Sequence, residues 1–187
     1  MVSSSGNAIL SRISNVKSND YPRTWAATIG EQLEKEDFMD VSTGKPRNNF
    51  VSNWVKRALK EEFDIDENEL TERGENELEE YVDMHSLRVL SVDLEADFYN
   101  IALTCIVQLK INTDELLSLK GIVIDNNENT RELMEVSTDE VRSILMNYPE
   151  NSSEYHPSTY LRLLMYHLYT DTEKGTKSAF AKNHKRK

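Results

Sequence analysis

His167 and Asp171 stand four residues apart. On a helix that spacing puts both side chains on one face, where they could share a metal ion. A metal site needs further ligands, and the other histidines, His85, His156 and His184, are far away in the chain. The pair therefore reads as a surface polar contact, and no metal ligands are assigned. The carboxylates between Glu61 and Glu80 offer many acid–base pairs. Catalytic carboxylates need a partly buried setting that moves their pKa, and these have few apolar companions, so they read as a solvated face. Cys105, the one cysteine, lies in an apolar alternating run and reads as a small buried side chain without a nucleophile's setting. The six glycines are scattered, so they form neither a phosphate-cradling loop nor a dinucleotide fingerprint. No serine sits in a nucleophile elbow. These searches assign no catalytic residue and no cofactor, and the expectation is a non-enzymatic protein that works by binding other proteins. Tyr160, Tyr166 and Tyr169, beside His167, are of interest because Tyr-rich helices suit interfaces; core packing is an equal alternative.

The elements that would carry these residues follow from hydrophobic periodicity. Ile9, Leu10, Ile13 and Val16 have helical spacing behind a Ser5 cap, and Tyr21-Pro22 ends the run. A second short helix is expected over Arg23 to Thr28, stopped by Gly30, and a loop over Ser42 to Asn49. Phe50, Val51, Trp54, Val55, Ala58 and Leu59 make a clear amphipathic stripe. Asp66 and Glu69 have capping-box spacing and predict a helix from about Glu67 to Met84. The period then changes to two. Leu90, Val92 and Leu94 alternate with polar residues, as do Ile101, Leu103, Cys105, Val107, Leu109 and Ile111, which predicts an antiparallel hairpin over about 87–111. Ile122 to Ile124 is a candidate third strand, Asp125 to Asn129 a turn, and Arg131 to Val136 a segment that pairs back. Ser137 and Glu140 form another capping box, and Pro157 opens a last helix with Leu161, Leu164, Met165 and Leu168. The expected fold is α+β: N-terminal helices packed on a small antiparallel sheet centred on the hairpin, then two C-terminal helices and a basic tail. Residues 1–136 would form the α+β domain and 137–187 the helical extension.

Charge narrows the partners. The chain of 187 residues has a formal net charge of −11. Glu61 to Asp97 holds fifteen acidic residues and two basic ones, Arg73 and Arg88, whereas Lys174 to Lys187 holds six basic residues and no acidic one. An acidic block repels phosphates and argues against a nucleic-acid face there. The acidic and basic segments are expected to order on assembly, each neutralised by a neighbour. No stretch has the length of a membrane span, and the polar start from Met1 to Asn7 lacks the pattern of a secretory leader.

Two segments resemble the baseplate-wedge or sheath-initiator family of contractile phage tails. The first runs Gly30-Glu31-Gln32-Leu33-Glu34-Lys35-Glu36-Asp37-Phe38. The family carries Gly-Glu-Arg, two variable residues, then Arg-Pro-Asp-Phe-Gly. Gly30, Glu31, Asp37 and Phe38 match in register and Lys35 keeps the charge, while Gln32, Glu36 and Met39 depart from it. The second runs from Arg88 through Leu94 into the long alternating strand; the family has Glu-Pro-Arg before such a hairpin, and here Ser86 and Leu87 replace the Glu-Pro. The similarity covers roughly residues 8 to 125. It implies a virion protein made in the host cytoplasm, present in several copies. Its partners would be other tail and baseplate proteins and sheath subunits, to which the hairpin would offer a strand edge. Gly30, Glu31, Asp37, Phe38, Arg88, Tyr160, Tyr166 and Tyr169 are the candidate interface residues. The alternatives are a neck or head–tail connector protein, or a small regulator whose basic tail binds nucleic acid.

Overall fold

The computed structural model describes residues 1–12, 23–27, 29, 32–40, 42–95, 100–119, 132–148 and 150–184, with side chains undescribed at 95, 100, 101 and 174–184. The chain is a mixed α+β fold. Its strands are β1 (Ala8–Arg12), β2 (Trp25–Ala27), β3 (Met39–Asp40), β4 (Lys45–Pro46), β5 (Val82–Glu95), β6 (Asn100–Leu109) and β7 (Leu133–Val136). Its helices are α1 (Lys35–Phe38), α2 (Phe50–Phe63), α3 (Glu77–Tyr81), α4 (Thr113–Ser118), α5 (Thr138–Met146) and α6 (Pro157–His184).

β1 lies between β2 and β7, antiparallel to both. The β5–β6 hairpin joins this group through one residue. Val2 donates its N–H to the Val107 carbonyl at 3.0 Å and accepts from Leu109 N–H at 2.7 Å, and it bridges Ala8 on its other side. Alternation along β1 and β6 then sends neighbouring side chains to opposite faces. Ala8, Leu10 and Ile106 enter one core with Val141, Ile144, Leu163 and Tyr166 of α5 and α6. Ile9, Val107 and Leu109 enter a second core with Val55, Leu59 and Phe63 of α2, Leu78 of α3 and Leu116 of α4. Helices thus cover the sheet on both faces, and the C-terminal pair shares its core with the first strand.

The expected N-terminal helix is a strand. Ala8, Ile9 and Leu10 are all buried because β1 is covered on both faces. Such a strand has a continuous apolar run whose spacing mimics a helix stripe. Ile13 and Val16 lie outside the described residues. The helix expected at Arg23 to Thr28 is likewise replaced by β2, which pairs Trp25, Ala26 and Ala27 with Arg12, Ser11 and Leu10. Among the described residues the chain thus opens on strands, and the helices that pack on the sheet follow them. The helix expected from Glu67 to Met84 contracts to α3. Asp66 caps Asn68 N–H at 2.9 Å in a local turn, Gly74 takes a left-handed φ of +78°, and Asn76 is the true N-cap, accepting from Glu79 N–H. Phe63, Ile65 and Leu78 are all buried, so this acidic stretch is anchored at both ends. Part of the loop expected at Ser42 to Asn49 forms the tight β3–β4 pair.

Several expected elements are present. α2 occupies the amphipathic stripe, the hairpin is present, and the Ser137–Glu140 capping box is formed in both directions. α6 starts at Pro157 and extends through the basic segment to His184. The Leu133–Val136 segment is a strand, paired with β1. The segments at 122–124 and 125–129 lie outside the described residues.

Candidate interaction surface

The hairpin arm is built by two irregularities. β5 slips against β6 between Asp83 and Arg88 and again between Val89 and Ser91, where Val89 opposes Cys105 and Ser91 opposes Thr104. Leu90 is the extra residue of this bulge, and it turns into the first core. In a regular strand Val89 and Val92 would face opposite ways, since they are three apart. The bulge puts them on one face. Val89, Val92 and Leu94 then line up beside Leu103, which opposes Val92. Near the base of the hairpin this face is covered by α2, α3 and α4 through Val82, Val107 and Leu109. Farther out it is bare: Val89 is 46% exposed, Val92 65% and Leu94 71%. These exposed aliphatic residues continue, along the same face, the row that is covered at the base. The opposite side carries Ser91 and Asp93, which bond each other at 2.6 Å.

The edge of β5 is less suited to strand addition than the sequence implies. Two register shifts and the acidic Asp93 are features that blunt an edge.

Gly30 and Glu31, named from the resemblance, lie outside the described residues. Asp37 is 2% exposed, and its carboxylate takes a two-pronged contact from Arg57: Nε to Oδ1 at 3.1 Å and Nη2 to Oδ2 at 3.0 Å. Asp37 also accepts from Glu34 N–H at 2.8 Å. Arg57 reaches Glu61 at 2.9 Å as well, and the bond to Asp37 leads the contacts that raise its pKa. Asp37 thus fastens the segment before α2 onto that helix, while Phe38 beside it is exposed. Arg88 donates to the carbonyls of His85 and Leu87 and holds the first irregularity of β5.

The tyrosines of α6 make internal contacts. Tyr166 is buried and donates to the Gly6 carbonyl at 2.6 Å. Tyr160 donates to Asn151 and packs edge-on against Tyr148 and Tyr155. Tyr169 packs half-buried on the first core. The inward face of α6 is Thr159, Leu163 and Tyr166, whereas Leu161, Leu164 and Leu168 point outward and are exposed. Residues three and four apart share a helix face, so these leucines form a second apolar ridge, which the sequence reading missed because both faces of α6 are apolar.

His167 Nε2 lies 3.5 Å from Asp171 Oδ2, and Arg142 lies 3.8 Å from the same oxygen. No group of three or more His, Cys, Asp or Glu positioned for a metal ion occurs among the described residues. Cys105 is half-buried, and burial pushes its thiol up to about 11. Thiolate is the reactive form, so alkylation of the folded protein at pH 8 is expected to run about 10- to 100-fold slower than in urea. Mass-spectrometric timing of iodoacetamide labelling checks this, and equal rates would contradict it. No helix among the described residues is long and apolar enough to cross a membrane.

No family model matches this chain, and no curated protein or solved structure is similar to it.

Proposed function

We propose that the chain is a non-catalytic structural subunit that docks onto its neighbours through the apolar face of its hairpin arm, and that the assembly is the baseplate wedge of a contractile phage tail. The observation that carries the docking role is the exposure of Val89, Val92 and Leu94 on one face of β5. Burying side chains of this kind contributes about 1.5–3 kcal/mol each when they go from water to a dry contact. An aliphatic row on a two-stranded arm is held in place without a partner, so little ordering entropy is lost on docking. The tail assignment rests on the motif resemblance. Asp37, a matched position, fixes the segment before α2 rather than meeting a partner, and the adjoining Phe38 is left free to make contact.

The test is the double substitution Val92→Lys with Leu94→Lys. Both sites are largely exposed, so folding stability is expected to change by less than about 0.5 kcal/mol. In cells that produce the tail, the wild-type chain is expected in purified particles and the double variant in the unassembled fraction. A variant that melts normally and still enters particles at the wild-type level would overturn the docking role. Absence of the wild-type chain from purified tails would overturn the tail assignment.

A further inference from the structure

α6 is apolar on two opposite sides. Leu163 and Tyr166 face the first core and are buried. Leu161, Leu164 and Leu168 point the other way and are exposed. They stand at the i, i+3 and i+7 positions of a heptad seam. The leucines stop there, because the next positions of that seam are Asp171, Gly175 and Ser178. The helix nevertheless runs on to His184. Charge differs between its two ends. Just before α6, Glu150 and Glu154 are exposed, and no basic residue lies between Asn147 and Tyr155. This stretch sits against the start of the helix: Tyr160 donates to the Asn151 carbonyl at 3.0 Å, and its ring lies 4.7 Å from that of Tyr148. Past the leucines, Lys174 to Lys187 holds six basic residues and no acidic one.

We propose that the partner for this ridge is a second copy of the chain, with the two α6 helices antiparallel about a two-fold axis near Leu164. A parallel pairing would set the two basic segments side by side, where like charges repel. The antiparallel pairing sets Leu161 of each copy against Leu168 of the other. In that register the segment from Lys174 onward passes the stretch around Glu150 and Glu154 of the other copy. A two-fold contact repeats every pair, so both ends of the seam gain the same attraction. The leucines supply the buried surface, and the charges choose the direction. This contact is separate from the hairpin face and does not depend on its role.

The experiment uses the full chain with its one cysteine removed, Cys105→Ser, carrying either Leu161→Cys or Leu168→Cys, one of the two bearing a tag. Both positions are exposed, so neither change disturbs the core. Mild oxidation of the mixture is expected to give a disulfide-linked product that joins the two variants. Each variant alone is expected to give little, because seven residues of helix hold its two thiols about 10 Å apart along the axis, beyond the Cα separation of about 7 Å that a disulfide spans. Linkage within either variant alone at the level of the mixture overturns the antiparallel arrangement. No linkage in the mixture overturns the pairing of α6 with a second copy and leaves the ridge to a different protein. Sedimentation checks the charge contact without any cysteine variant. Glu150→Lys with Glu154→Lys is expected to weaken self-association about 10- to 100-fold, and a folded variant that associates as the parent does overturns that contact.

Discussion

Arg57→Ala is expected to destabilise the fold by about 3–5 kcal/mol, the largest effect of any single substitution considered. The reason is what it leaves behind. Asp37 is 2% exposed, and Arg57 supplies its two side-chain ion-pair contacts at 3.0 and 3.1 Å. Removing one partner of a buried pair strands an uncompensated charge, which costs more than the pair itself contributes. The loss also releases the segment before α2, because Arg57 holds the Gln32 carbonyl and Glu61 besides Asp37. Replacing both members, Asp37→Leu with Arg57→Met, is expected to recover much of that loss, since no charge is then buried. Chemical denaturation of the two variants decides the matter. If the single and double variants lose equal stability, the clamp is not the source of the effect.

Glu135→Gln is expected to cost about 2–4 kcal/mol, through the loss of an ionised acceptor surrounded by donors. One carboxylate oxygen accepts from Ser3, Ser5 and Asn7 at 2.9, 3.0 and 3.0 Å. The other accepts from the Thr113 N–H and hydroxyl at 3.2 and 3.1 Å. A single side chain of β7 thereby ties the N-terminal turn to the start of α4. Burial alone would raise this carboxyl, but the bonds from Asn7, Ser3, the Thr113 main chain and Ser5 outweigh it and the net direction is down. A group whose folded pKa is depressed stabilises above its unfolded value, here 4.5, and the contribution fades as pH falls through the folded value. The wild-type advantage over Glu135→Gln is therefore expected to be full at pH 7 and to shrink below about pH 4.5. A gap between the two chains that is the same at pH 7 and pH 3 would contradict this account.

Local signals with one dominant cause were readable from the sequence. The Phe50–Phe63 stripe faces a single core, and the Ser137–Glu140 box is a contact between near neighbours, so both are legible without the fold. The hairpin was legible because Val92 and Leu94 alternate with Ser91 and Asp93, and the run from Ile101 to Ile111 alternates in the same way. β1 was not, because Ala8, Ile9 and Leu10 feed two cores at once and lose the period-two signature. The exposed apolar face was legible only in part. Val89 joins Val92 on one face because Leu90 is a bulge residue, and a one-residue insertion of that kind has no distinct sequence pattern. In α6 the inward residues Leu163 and Tyr166 could not be told from the outward leucines at Leu161, Leu164 and Leu168, since choosing between two apolar faces requires knowing what packs against them.

A photo-crosslinking amino acid placed at Val92, compared with one at exposed Asp139 on α5, tests the hairpin docking role most directly. In assembled particles the Val92 probe is expected to give one dominant covalent product with a neighbouring tail protein, which is lost on dissociation, while the Asp139 probe gives little. Equal or absent crosslinking from Val92 in particles that contain the chain would contradict the claim that this face holds the subunit in its assembly.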